Sequence, residues 1–386
     1  MSSKPLPVLP GAKLPILPGA TLGILGGGQL GRMFTLAART MGYKVMVLDP
    51  DAASPAGQMA DVHVRADYAD LAALRKLGAA CAAVTTEFEN VPAASLIELA
   101  KHCRVSPGAD AVAIVQDRSH EKAWLADNGF ATAPFALVDS EADLEAALAT
   151  TGAPALLKVS RFGYDGKGQA RVGTLEEARA AFREFGGQAC VLEGFVQLEL
   201  EVSVVLARDD AGQCALFPVA ENRHDGGILD VSIVPARVPD SLAQAAREMA
   251  RAVADKLGYV GVMAVEFFIA GGQLMINEIA PRPHNSGHYT LDACVTDQFE
   301  QQVRVLAGLP LGDTRLLSPA VMVNLLGDRW HDGGPRWAAL LTHDNIKLHL
   351  YGKEAARPGR KMGHFNVLDA DPAAALQLAE QMRHAL

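Results

Sequence analysis

The sequence has no apolar run near the ~18 residues that a membrane-spanning helix needs, so no membrane partner is expected. Cysteine is scarce: only Cys81, Cys103, Cys190, Cys214 and Cys294 occur. Their number is odd and no pair has metal-ligand or redox spacing. A disulfide framework or a zinc ribbon is therefore excluded, and free thiols in a reducing cytoplasm are expected. Cations are also short. Lysine plus arginine is 35 against 44 for aspartate plus glutamate, a net charge of −9. A nucleic-acid binder needs excess cations to displace phosphate counterions, so no nucleic-acid partner is expected. Any anionic ligand must find a local cationic pocket.

What is present is ordinary globular composition, with 49% apolar and 20% charged residues in a chain of 386. At roughly 150 residues per domain, two or three domains are expected. Residues 1–20 carry a near-repeat, LPVLPGA at Leu6–Ala12 and LPILPGA at Leu14–Ala20. Prolines at this density prevent the helical core of a signal peptide, so this reads as an extended Pro-rich tail.

From Thr21 the periodicity changes. Leu22–Leu25, Lys44–Leu48, Ala82–Thr85 and Arg104–Ser106 read as strands between helices at Gln29–Met41, Leu71–Leu77 and Ala93–His102. That alternation predicts a parallel α/β sheet over 21–115. Asp117 is a candidate N-cap for a helix to about Asn128. An α+β lid over about 135–195 follows, within a central unit of 116–315. Longer strands at Glu201–Ala207, Cys214–Ala220 and Ile228–Val234 precede a helix at Ser241–Leu257 and a hairpin, Met263–Ile269 with Gln273–Ile279. Residues 316–386 predict a small appended β-rich domain closed by a helix after Pro372.

Two glycine motifs bear on chemistry. Gly26-Gly-Gly28-Gln-Leu-Gly31 fits G-x-G-x-x-G between a strand and a helix, and Asp49 ends the next strand. A dinucleotide site, a mononucleotide phosphate site and plain strand–helix packing all fit this pattern. The second motif, Phe162-Gly-Tyr-Asp165-Gly-Lys-Gly168-Gln, follows the strand bearing Lys158. It has neither Walker A nor kinase spacing and reads as a flexible flap over an anion.

Lys122, Lys158, this flap, Glu193-Gly-Phe-Val196, Glu201, Glu266 and Asn277-Glu278 occur in an order that resembles the ATP-grasp superfamily. More narrowly, the chain is similar to the family of 5-(carboxyamino)imidazole ribonucleotide synthetases of purine biosynthesis. GGGQLGRM (26–33), FGYDGKGQ (162–169), YVGVMAVEFF (259–268), NEIAPRPHNSGHYT (277–290) and YGKEAARPGRKMGH (351–364) carry the resemblance, which spans about Leu22 to Asp369. It implies an ATP-grasp fold of mixed α/β and α+β class. A Rossmann-like, biotin-carboxylase-like domain would precede it and a small β-rich domain would follow.

The resemblance also implies roles. ATP would lie between two sheets, with Arg118 and Lys158 on its phosphates. Lys122 is left open between this site and a surface helix position. Gly163, Tyr164, Asp165, Gly166, Lys167, Gly168 and Gln169 would cover the nucleotide. Among them, Tyr164, Asp165 and Lys167 are the candidate catalytic contacts to bicarbonate or its phosphorylated form. Glu193, Gly194, Phe195 and Val196 would form an edge segment reading adenine. Glu201 would take the ribose, and His224 and Asn277 are further nucleotide contacts. Glu266 and Glu278 would hold magnesium, which prefers oxygen ligands. Gln29, Glu87, His284, Asn285, Ser286, Lys353 and Arg360 would bind aminoimidazole ribonucleotide. A homodimer is also implied.

The hairpin constrains the metal pair. A two-residue loop at Gly271-Gly272 sets Glu266 opposite Asn277 and turns Glu278 away. A joint role therefore predicts an odd-length loop, or a bulge near Ala270–Gly272, with Glu266 paired to Ile276. The implied reaction is ATP- and bicarbonate-dependent carboxylation of the acceptor amine through carboxyphosphate, giving ADP and phosphate. A formate-dependent purine transformylase, an NAD-dependent dehydrogenase and a non-catalytic nucleotide sensor are the rival readings.

Overall fold

The computed structural model describes residues 14–163, 167–330 and 334–386. The first copy of the proline near-repeat, together with Tyr164, Asp165 and Gly166 of the flap, lies outside the described residues. In the first unit, β1 (Thr21–Leu25), α1 (Gln29–Thr40), β2 (Lys44–Leu48), β3 (Val62–Val64), α2 (Leu71–Ala80), β4 (Ala83–Thr86), α3 (Ala93–Ala100) and β5 (Arg104–Val105) follow in turn. The parallel sheet runs β3-β2-β1-β4-β5. Its strands are apolar on both faces because helices cover both. Leu22, Ile24, Val45 and Val47 meet Phe34 of α1 on one face, and Leu25, Leu48 and Val84 meet Leu74, Leu77 and Leu96 on the other.

Two helices, α4 (Ala109–Val115) and α5 (Arg118–Asp127), lead into the lid. Asp117 caps α5, its carboxylate accepting from Ser119 N at 3.0 Å. The lid comprises β6 (Phe135–Val138), α6 (Leu144–Thr151), β7 (Ala155–Val159), β8 (Gln169–Val172), α7 (Leu175–Glu184) and β9 (Cys190–Gly194), with strand order β6-β9-β7-β8. Thus β9 is an interior strand. The edge expected at Glu193 begins only beyond Gly194, whose N–H donates to the Pro134 carbonyl at 2.8 Å.

The central sheet is built from β10 (Leu200–Arg208), β11 (Cys214–Leu216), β12 (Ala220–Asp225), β13 (Ile228–Val234), α8 (Asp240–Lys256), β14 (Gly261–Ala270) and β15 (Gln273–Ala280). The single strand expected over Cys214–Ala220 is broken, since Pro218 cannot donate to a ladder. Alternation along β10 sends Val202, Val204 and Leu206 under α8, and Val205 and Ala207 to the opposite core.

After α9 (Thr290–Ala293) and α10 (Gln298–Ala307) come β16 (Ala320–Leu326), α11 (Trp337–Leu341), β17 (Ile346–Leu350), β18 (Lys361–Leu368) and α12 (Pro372–Ala385). The C-terminal strands are not a separate sheet. β16 pairs with β13, giving the order β15-β14-β10-β12-β13-β16-β18-β17, with β11 beside β10. The helix α10, which the sequence reading left out, returns to the first unit: Phe299, Val303 and Leu306 pack against the α1 face of its sheet.

The hairpin corrects one expectation. Its loop is the two residues Gly271 and Gly272, at φ of 57° and 69°, and no bulge lies near it. The register shift falls instead between Glu266 and Phe267, where β15 carries Asn277 as an extra residue. Phe267 therefore pairs with Ile276, and Glu266 pairs directly with Glu278. Both carboxylates share one face by a different route from the one expected.

Candidate active site

Three cations converge on one buried carboxylate where α5, the lid and the central hairpin meet. Glu193, 2% exposed, accepts from Lys158 Nζ at 3.1 Å, while Lys122 Nζ lies at 3.3 Å and Arg118 Nη1 at 3.4 Å. Burial pushes the Glu193 carboxyl up, but Lys158, Lys122 and Arg118 outweigh it and hold it down to about 2. Burial lowers the Lys158 ammonium, against the pull of Glu193. Lys122 is not a surface residue. It is 0% exposed and donates to the Asn277 carbonyl at 2.9 Å.

Arg118 links this cluster to the hairpin, because its Nη2 donates to Glu278 Oε2 at 2.8 Å. Burial opposes its charge, yet Glu278 and Glu193 raise its pKa further. Across the pair, Glu266 Oε1 lies 2.8 Å from His284 Nε2. Burial raises the Glu266 carboxyl, and His284 more than reverses that. Two opposed carboxylates on one face suit magnesium, which takes one or two protein carboxylates and completes its shell with phosphate and water. Among the described residues no group of three or more candidate ligands occurs, so phosphates would have to supply the rest.

Beside the lid, His224 Nδ1 lies 2.7 Å from Glu201 Oε2. Burial lowers the histidine, but Glu201 raises it more. Phe195 stands exposed beneath the Arg171 guanidinium, 4.3 Å from its ring centroid. Gly168 and Gln169 enter β8, and Gln169 pairs with Lys158. Gly163 packs near the Lys167 carbonyl at the base of the flap.

The other face meets the first unit. Lys353 Nζ donates to Gln29 Oε1 and to the Lys361 carbonyl, the latter at 2.6 Å. Glu87 lies behind Gln29, where it accepts from Gly28 N at 2.5 Å and from Gly31 N at 2.6 Å. Asp49 accepts from Gly27 N at 2.6 Å and from the Tyr68 hydroxyl at 2.6 Å. The glycine loop thus encloses the protein's own carboxylates. A Cβ at Gly31 would lie 2.6 Å from the Gly26 carbonyl, which explains the glycine. Asp49 has no ribose role here, because its carboxylate is turned into the loop and buried. The dinucleotide reading fails on this geometry.

Asn285 and Ser286 are placed beneath the site rather than on its surface. Asn285 exchanges two amide bonds with Asn324, at 3.0 and 2.7 Å. Ser286 is fully buried and lies between His284 Nδ1 at 2.9 Å and Ser203 Oγ at 2.7 Å. Arg360 donates to the Ala355 carbonyl of its own loop at 2.8 Å. It is not joined to the Gln29–Lys353 pair by any hydrogen bond among the described residues.

Four residues that hold the site together were not singled out from the sequence. Arg282 forms a two-point ion pair with Glu89, at 2.5 and 3.3 Å, tying the hairpin exit to the first unit. Arg282 lies within the 277–290 block and Glu89 just beyond Glu87, so an arginine and an acid on facing segments were the available signal. Gln298 grips His284 at both backbone groups, each at 2.8 Å, and Glu121 accepts from Ile279 N. No spacing rule marks either residue.

Comparison with known proteins extends over most of the chain. Family models match a ribonucleotide synthetase preATP-grasp domain at residues 19–116, an ATP-grasp domain at 123–299 and a phosphoribosylaminoimidazole carboxylase C-terminal domain at 320–378. The N5-carboxyaminoimidazole ribonucleotide synthase of Brucella melitensis is 48% identical over 337 residues, covering 86% of this chain and 92% of that one. A crystal structure of an N5-carboxyaminoimidazole ribonucleotide synthetase with ADP has a TM-score of 0.91 at 45% identity, covering 96% of this chain and 99% of that one. The synthase of Aspergillus clavatus, solved with ADP and 5-aminoimidazole ribonucleotide, has a TM-score of 0.87 at 30% identity, covering 95% and 98%.

Proposed function

The chain belongs to the N5-carboxyaminoimidazole ribonucleotide synthase family, and from that premise we propose how its residues divide the work. The reaction is ATP-dependent ligation in purine biosynthesis. A bicarbonate oxygen attacks the γ-phosphoryl group, ADP leaves, and carboxyphosphate forms. The exocyclic amine of aminoimidazole ribonucleotide then attacks the carboxyl carbon, with phosphate leaving and the amine releasing a proton, or carboxyphosphate first splits to phosphate and carbon dioxide, which the amine captures with loss of the same proton. One observation carries the division of roles: Arg118 bridges the buried cationic cluster and the opposed Glu266–Glu278 pair.

Arg118 and Lys158 hold the phosphates, and Glu193 holds Lys158 and Lys122 in place. Glu266 and Glu278 are the residues that would hold magnesium, which when bound neutralises charge developing on the phosphates. Glu201 and His224 receive the ribose, and Phe195 and Val196 face adenine. Gln29, Lys353, Arg360 and His284 bind the acceptor nucleotide. The flap, with Tyr164, Asp165 and Lys167, closes over the reacting groups, because water would hydrolyse the intermediate. Catalysis here is positioning plus charge neutralisation.

Homodimeric assembly comes with the family resemblance, and sedimentation at working concentration tests it. Five free cysteines support a reducing, cytoplasmic setting. No helix among the described residues is long and apolar enough to cross a membrane. The decisive experiment is ADP release with and without bicarbonate and aminoimidazole ribonucleotide. Release that needs both supports this reading. Release driven equally by formate would move the chain to a transformylase, and nucleotide binding without turnover would make it a sensor.

A further inference from the structure

The edge of the central sheet shows how the protein keeps Glu278 facing Glu266. β15 is an edge strand, so its outward backbone groups need partners from outside the sheet. They find three. Ile276 N donates to the Ala131 carbonyl at 2.8 Å, the Asn277 carbonyl accepts from Lys122, and Ile279 N donates to the Glu121 carboxylate. In a regular strand the outward N–H groups recur every second residue, so Ile276 would be followed by Glu278. Here the second outward N–H belongs to Ile279, because Asn277 is the extra residue of the bulge. Glu121 therefore bonds a group that points outward only in the bulged register. Removing the bulge would turn the Glu278 side chain to the opposite face.

Arg118, Glu121 and Lys122 lie at i, i+3 and i+4 of α5 and so share one face. Arg118 takes the Glu278 side chain, while the other two take the backbone on either side of it. Lys122 also serves Glu193, but the one hydrogen-bond partner that the Glu121 carboxylate has among the described residues is Ile279 N.

We propose that Glu121 is a positioning residue: by accepting the Ile279 N–H it latches the bulged register of β15 and keeps Glu278 on the face of Glu266. The proposal rests on the reading of those two glutamates as the metal pair. What the latch requires is a hydrogen-bond acceptor, which a glutamine also supplies.

The test uses the full-length protein with Glu121→Leu and Glu121→Gln. One readout is amide exchange of the peptide containing Ile279. The other is the gain in ADP affinity produced by magnesium, from calorimetry with and without the ion. Glu121→Leu is expected to speed exchange and to cut the magnesium gain, each by roughly tenfold or more, on the scale of one lost buried hydrogen bond. Glu121→Gln should stay within about twofold of wild type in both, a rescue that a role resting on the carboxylate charge would not give, whereas a packing role would survive Glu121→Leu. A folded Glu121→Leu protein with wild-type exchange and magnesium gain would overturn the proposal. So would a Glu121→Gln protein as impaired as the leucine variant. Should the leucine variant not fold, Glu121→Ala read in the same two ways decides. Glu278→Ala separates the two levels. If it keeps the magnesium gain, the metal reading fails, and exchange at Ile279 still decides the latch.

Discussion

Two places in this molecule attract anions, and each is occupied by one of the protein's own carboxylates. In the first unit, the glycine loop at Gly26–Gly31 aims backbone N–H groups at Glu87. In the centre, Lys158, Lys122 and Arg118 surround Glu193. The outcomes are opposite. Burial pushes Glu87 up to about 6, and the Gly31 and Gly28 N–H groups do not offset it. Burial acts on Glu193 in the same direction, yet three full charges bring it down to about 2. Backbone dipoles carry partial charges, whereas each ammonium or guanidinium carries a whole one. The first place is therefore filled, with little positive potential left over. The second keeps three cations around one carboxylate and retains attraction for a polyphosphate. The motif that looks like a dinucleotide loop is here a structural cap, and the cations left to attract a phosphate lie beside the other glycine motif, the flap that follows Lys158.

The largest test of this contrast is Glu193→Ala. It leaves three buried cations without their shared partner, and breaking such a pair costs about 3–5 kcal/mol. Urea unfolding at neutral pH should show that loss, and one under 1 kcal/mol would break the comparison. Next is Lys158→Ala, which removes the cation proposed to hold phosphate while Lys122 and Arg118 still hold Glu193. A loss of roughly 100-fold or more in kcat/KM for bicarbonate-dependent ADP release is expected, on the scale of one transition-state donor. Unchanged activity would remove Lys158 from the site. Glu87→Ala should cost less, about 1–3 kcal/mol of stability, because it orphans dipoles rather than charges.

How much of this was legible depended on the kind of residue. The strands and helices of the first unit other than β3 and α4, two short elements that were not read, follow hydrophobic period closely, because each buries a regular face. α10 did not read as a helix because its inward face carries Gln298, Gln301 and Gln302, all buried. These glutamines clamp backbone elsewhere: Gln301 donates to the Gly312 carbonyl at 2.7 Å, and Gln298 grips His284. A polarity pattern cannot separate such a clamp from a solvated face. The residues of the candidate site were visible as motif blocks, but their partners were not. Glu193 read as an adenine contact, yet its side chain organises three cations from two elements. The hairpin reasoning asked for an odd-length loop or a bulge near Ala270–Gly272, and the bulge falls at Asn277 instead, whose carbonyl is bonded by Lys122 of α5, about 155 residues away.

The smallest effect is the difference in pH response between the two carboxylates. Glu87 has a folded pKa of about 6, above the ordinary carboxylate value of 4.5. Its contribution to stability is thus fully present below pH 4.5 and is lost as pH rises through 6. Glu193 has the opposite sign: its contribution is present above 4.5 and is lost as pH falls toward 2. Between pH 5 and pH 7 only Glu87 of the two titrates, and the expected loss is about 1 kcal/mol. Glu121, pushed up to about 8 chiefly by burial, adds a loss of the same sign that continues above pH 7. Asp49 and Lys353 are the charged neighbours that bear on Glu87, in opposite directions. Glu87→Gln removes the Glu87 titration and leaves that of Glu121, so the difference between variant and wild type isolates one group. Urea midpoints at pH 5 and pH 7 should draw together by that amount in Glu87→Gln. If the wild-type and Glu87→Gln proteins respond alike, the loop N–H groups hold the Glu87 carboxylate as firmly as cations would, and the two sites differ less than their geometry says.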